Sequence, residues 1–219
     1  MQKTTMLGLI IGPIAITAVV SIARLTCEVQ GWIPPTSGGA LNPLGISWLA
    51  FVFGAWFAIR LRKNGSAPRA RPAWLFAVLL LLGVIAAIPW QFAPLLSETA
   101  DGDSSQRLRS AVLTLVVIVA SAGLATFAIW PRLAWTLLCY AFGARATVFL
   151  ITWVAKSQNW DTHYTKFGPS GIECDLPSTL IATATAQGGF WIPFTIVCGS
   201  ALGAFFAPKR SDSAASANG

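Results

Sequence analysis

Six runs of mostly apolar residues, separated by short polar connectors, constrain this chain more than any motif in it. A helix needs about 20 such residues to cross the ~30 Å hydrocarbon core of a bilayer. The runs lie near 6–24, 43–60, 73–93, 110–130, 133–155 and 189–207. Backbone in hydrocarbon finds no water to bond, which leaves helices or closed barrels as solutions. The expected fold class is therefore all-α, a polytopic transmembrane bundle of six helices. Only 11% of the residues are charged, against roughly 25% in an average soluble domain. Residues 1–208 read as one transmembrane domain and 209–219 as a small, polar, disordered tail. The first run is longer than a signal-peptide core of about 7–15 residues, and no A-x-A site follows it, so it is expected to be retained.

Charge placement orients the helices. A net charge of +7 suits a nucleic-acid binder only if the basic residues share a polar domain, and here they flank apolar runs. Lys and Arg mark the cytoplasmic side of a membrane protein. The connection after the second run carries Arg60, Arg62, Lys63, Arg69 and Arg71. Placing it inside puts nine of the fifteen basic residues in the cytoplasm, together with both termini. The acids favour the other face: Glu28, Glu98, Asp101, Asp103, Asp161, Glu173 and Asp175 all fall outside. Tryptophans such as Trp48, Trp90 and Trp153 at one set of helix ends, and Trp74, Trp130 and Trp135 at the other, form the interfacial belts that an indole prefers. The expected location is the inner (plasma) membrane. The expected partners are the lipid bilayer and other membrane subunits, with no nucleic acid.

The stretch SGGALNPLG (37–45) resembles the signature box of the aquaporin family, whose pore uses two opposed half-helices that each begin at Asn-Pro-Ala. Three departures set that reading aside. Leu44 stands in place of Ala, no second Asn-Pro occurs in the chain, and the box follows the first helix instead of the second. Asn42 as an N-cap and Pro43 at the first helical position account for the pair as the start of the second spanning helix. NWDTHY (159–164) and FWIPFTIVCGSALGAFF (190–206) are similar to small six-helix bacterial membrane proteins of unknown function. That resemblance implies the same topology and brings no activity.

Arg145 is the sharpest candidate for function. It falls roughly 16 Å along the fifth helix, near mid-membrane, where a charge costs at least ~2.5 kcal/mol. No Asp or Glu lies within the six runs as bounded, so no buried carboxylate is expected to answer it. The Pro131-Arg132 turn makes the fourth and fifth helices a hairpin, with Ser121 at a depth similar to that of Arg145. Arg145 with Ser121 would bind a small anion, a lipid phosphate or a quinone oxygen. The alternative is that Arg145 bonds carbonyls and hydroxyls and knits helices together.

The connection 156–188 holds the chain's one histidine. Asp161, His163 and Tyr164, with Glu173 and Asp175, are acid–base candidates there, against a plain solvated loop. A hydrolytic metal site wants three protein ligands, often several His, so no metal is expected. Residues 177–187 read as a short interfacial helix. Cys27 and Cys174 share the outer side and are candidates for a disulfide, while Cys139 and Cys198 sit within helices as packing residues. No C-x-x-C, Walker box, G-x-G-x-x-G or HExxH occurs, so no cofactor is expected. The reading is a non-catalytic membrane subunit or scaffold. Binding or transport of a small anionic or lipid-like ligand at Arg145 is the alternative, and outer-loop enzyme chemistry near His163 the third.

Overall fold

The computed structural model describes residues 5–35, 43–69, 77–87, 104–167 and 172–206. In chain order they form α1 (Met6–Val29), α2 (Leu49–Lys63), α3 (Ala77–Ala87), α4 (Ser104–Ile129), α5 (Pro131–Ser157), β1 (Lys166–Phe167), β2 (Ile172–Glu173), α6 (Leu176–Thr185) and α7 (Ile192–Phe206). A π-helical segment, Ala186–Trp191, joins α6 to α7. The two strands pair as one short antiparallel ladder, and everything else regular among the described residues is helix. Four stretches are long and apolar enough to cross a membrane: Met6–Val29, Ser110–Ile129, Pro131–Ser157 and Leu176–Phe206.

Several predicted boundaries move. The first helix runs on to Val29, past the predicted end at residue 24. The second begins at Leu49, so Pro43 lies in a turn and not at the first helical position. Asn42 lies outside the described residues, as do the flanks of the third run and the tail 209–219. Gly45 and Ser47 are weak helix formers, and the backbone before Leu49 takes tight turns instead. Residues 177–187 are no separate interfacial helix: α6, the π segment and α7 form one arm of 31 residues. Gly188 and Gly189 lie within the π segment. A side chain at Gly189 would crowd Val116 of α4, at 3.3 Å from its Cγ1.

Three helices stop in the same way, and local sequence explains each stop. Gly31 (φ +70°), Gly65 (φ +80°) and Asn159 (φ +53°) take the left-handed conformation just after α1, α2 and α5. The next residue in each case, Trp32, Ser66 or Trp160, donates its N–H back to the carbonyl of Cys27, Leu61 or Ala155. This pairing satisfies carbonyls that a helix end otherwise leaves unbonded. At the α4–α5 junction Trp130 breaks the helix (φ −149°, ψ 83°) and Pro131 opens the next one, where no N–H is needed.

The core forms where α7 meets α2 and α5. Ala50, Gly54 and Ala58 repeat every fourth residue on α2, facing Gly199 and Gly203 of α7. A Cβ on Gly54 would fall inside the backbone of Gly199. Such small residues let backbones approach where lipid supplies no hydrophobic drive between helices. Leu133 and Leu137 of α5 close over the same glycines. The Tyr140 ring stands edge-on to Phe53 and Phe57, at 5.4 and 5.6 Å between centroids.

This packing defines two ends of the bundle. At one, Arg62 lies over the Trp130 ring, whose Nε1–H donates to the hydroxyl of Ser66 at 2.9 Å. At the other, the turn after α5 packs onto the last turns of α1.

Candidate functional site

Arg145 stands fourteen residues after Pro131, so about 21 Å along the ~40 Å of α5. It is buried. Every partner it has comes from the arm of α6, the π segment and α7. Nη2 donates to Oγ1 of Thr195 at 3.1 Å, and Nη1 makes a long bond to Oε1 of Gln187 at 3.5 Å. Its Cζ sits 5.1 Å from the centre of the Trp191 ring. Gln187, Trp191 and Thr195 follow at four-residue steps, which keeps all three toward α5. The π segment supplies the first two of them, and π turns inside α-helices are frequent at functional sites. A guanidinium has five N–H donors. Here its acceptors are two neutral oxygens, Nε is buried without a partner, and no carboxylate pairs with it among the described residues.

A second polar site lies at the α1 end. Thr17, Ser21, Arg24 and Glu28 share one buried face of α1. Arg24 Nε donates to Glu28 Oε1 at 2.9 Å, one helical turn away. The backbone N–H of His163 donates to the other oxygen of Glu28 at 3.0 Å. Nδ1 of His163 lies 2.6 Å from Oε1 of Glu28, a contact that becomes an ion pair only when the imidazole is protonated. The Tyr164 hydroxyl donates to the carbonyl of Ser21 at 3.2 Å. Deeper on the same face, the hydroxyls of Thr17 and Tyr140 meet at 2.9 Å.

Burial sets the titration of the loop groups. It pushes the His163 imidazole below its ordinary value, with the Glu28 hydrogen bond opposing the shift. It pushes the Tyr164 phenol up to about 12. Around neutral pH both are therefore neutral, beside the Arg24–Glu28 ion pair.

The predicted residues separate cleanly. Ser121 is exposed on α4 and does not join Arg145. The hairpin estimated its depth, but depth leaves the face of the helix undecided. Asp161 is exposed and ion-paired with Lys166, away from the Glu28 carboxylate that holds His163. Asp175 is exposed at the start of α6. The turn 158–165 is not a plain solvated loop, since Thr162, Tyr164 and Thr165 are buried in it. Cys27 and Cys174 are both free thiols in this structure, as are Cys139 and Cys198. No group of three His, Cys, Asp or Glu side chains converges on a metal-sized site among the described residues.

Sequence reasoning missed the Arg24–Glu28 pair by ending the first helix at residue 24, which left Glu28 outside it. Gly31 was the available signal, as a glycine placed to stop a helix that runs through Glu28. Gln187, Trp191 and Thr195 carried no signal, because only folding brings them to Arg145. No family model, curated protein or solved structure matches the chain, so both sites are read from their own geometry.

Proposed function

We propose that this is a multi-pass, non-catalytic protein of the inner membrane that binds a small anion at Arg145. In this reading the chain crosses six times, with the runs 43–60 and 73–93 supplying the two crossings beyond the four long apolar helices. The Arg62 end faces the cytoplasm with both termini, because Lys and Arg accumulate on that side.

The observation that carries the binding site is the buried guanidinium at mid-helix with an unpartnered Nε and only neutral acceptors. An isolated cation in hydrocarbon is strongly disfavoured. A carboxylate or phosphate could take two parallel N–H···O bonds from Arg145 and offset that cost, as guanidinium geometry favours. Thr195, Gln187 and the Trp191 ring would orient the fork. Such an anion could be a soluble carboxylate or phosphate, or a lipid headgroup drawn inward.

Native mass spectrometry in mild detergent separates these sources. Wild-type protein mixed with phosphatidylglycerol is expected to retain lipid that Arg145→Gln loses, while phosphatidylcholine is held equally weakly by both. If the source is soluble, short carboxylates or inorganic phosphate raise the unfolding temperature of wild-type protein and not of Arg145→Gln. Identical behaviour of the two proteins in all arms leaves Arg145 as a packing residue.

A further inference from the structure

The buried face of α1 changes character halfway along. From Leu9 through Ile10 to Pro13 it is apolar, and from Thr17 through Ser21 and Arg24 to Glu28 it is polar. A helix packed for stability alone would continue its apolar face. From Thr17 to Glu28 the polar half covers twelve residues, about 16 Å, and ends beside a cleft of about 460 Å³ whose lining includes Glu28, Pro34, Trp160 and Asp161.

Buried polar atoms normally find partners. Among the described residues, four of the six side-chain exceptions lie here, Ser21 Oγ, Arg24 Nη2, Thr162 Oγ1 and His163 Nδ1, and the other two are Arg62 Nε and Arg145 Nε. Ser21 and Thr162 have no exposed surface at all. The groups facing His163 are Arg24 and Glu28 from α1 and Tyr164 from its own turn, while Asp161 and Lys166 pair with each other. Glu28, His163, Tyr164, Ser21, Thr17 and Tyr140 thus place hydroxyl or ionisable groups along one seam. At its inner end the Tyr140 ring is boxed by Phe53 and Phe57.

We propose that the seam between α1 and α5 is a water- and proton-accessible half-path, which opens through the cleft, passes Glu28 and His163 at its mouth and ends at the hydroxyl pair of Thr17 and Tyr140. Hydronium arriving in the cleft hands its proton to the His163 imidazole and leaves as water, and the resulting imidazolium faces the Glu28 carboxylate. The return step releases the proton to water. Intramembrane ionisable side chains facing a bundle interior mark such routes. The path stands whether or not Arg145 holds an anion.

Cysteine substitution tests it without reference to which face is cytoplasmic, in nanodiscs open on both sides. In a background with Cys27, Cys139, Cys174 and Cys198 changed to Ala, Ser21→Cys and Thr17→Cys are labelled with 2-hydroxyethyl methanethiosulfonate, whose sulfur is attacked by the thiolate and not the thiol, forming a mixed disulfide and releasing methanesulfinate. Val19→Cys is the control, since Val19 is two-thirds exposed on the outside of α1. A thiolate is strongly disfavoured away from water, so the seam positions are expected to react roughly ten-fold faster or more. Rates for both seam positions no faster than that of Val19→Cys overturn the proposal. Ser21→Cys replaces a single atom, so it decides alone if Thr17→Cys does not fold. The one histidine supplies a second readout. With ¹⁵N-histidine labelling, His163 is expected to titrate reversibly as the pH falls through the window below its ordinary value of about 6.5. A resonance locked in one protonation state across that range overturns the proton step.

Discussion

Arg24 and Arg145 are both buried guanidiniums, 4% and 6% exposed, and the fold answers them in opposite ways. Arg24 has a carboxylate one turn away on its own helix, and the turn after α5 closes over that pair. Arg145 has a threonine, a distant amide and an indole face, all from another arm of the chain. The first is a self-contained ion pair that ties a loop to a helix. The second is a cation that no carboxylate balances among the described residues. Burial alone therefore does not separate the two guanidiniums; the counter-charge beside each does.

The largest expected effect breaks the first of these pairs. Glu28→Gln leaves Arg24 buried and uncompensated and frees the His163 turn, with an expected loss on the order of 3–5 kcal/mol in unfolding by denaturant in detergent. The double change Arg24→Gln with Glu28→Gln recovers a large part of it. Arg145→Gln, which removes a charge that no carboxylate among the described residues balances, is expected to lose distinctly less. Equal losses from Glu28→Gln and Arg145→Gln would end the contrast between the two sites.

A packing change calibrates these values. Gly54→Leu drives a side chain into the backbone of Gly199 and is expected to cost about 1–3 kcal/mol in the same unfolding assay, without altering anion retention at Arg145.

The pH dependence sharpens the comparison from the His163 side. Its imidazole titrates lower in the folded protein than in the unfolded chain. The unfolded state therefore binds the proton first as pH falls, and stability is lost on acidification through the window below the ordinary histidine value of about 6.5. The unfolding temperature is expected to be lower near pH 5 than near pH 7.5, with a smaller difference in His163→Gln. Glu28→Gln should move the histidine midpoint further down, since the carboxylate that favours imidazolium is gone. A midpoint that rises instead would reverse the assigned role of Glu28. The smallest expected effect is that of Thr17→Val, which removes one side of the hydroxyl pair with Tyr140 at a cost of about 1 kcal/mol.

Much of the architecture was legible in advance because hydrophobic length is a local property. The Pro131 hairpin, the long apolar helices and the buried position of Arg145 all follow from composition and a few turn residues. Boundaries were less legible. The first run is bounded at Arg24 with Glu28 placed outside it, although the helix continues and the two residues pair along it as i and i+4. The sixth run is bounded at Gly189, although the helix continues back from it to Leu176.

The amino-acid order by itself determined which segments suit hydrocarbon, where helices stop and how many basic residues crowd one connection, because each depends on a residue and its near neighbours. Only the tertiary structure decided what each buried polar group meets. Glu28 and His163 are 135 residues apart and Arg145 and Thr195 are 50 apart. Helical periodicity sets the face a side chain takes on its own helix, but the rotation of one helix against another comes from close packing at Gly54 and Gly199, and that is a property of the assembled bundle.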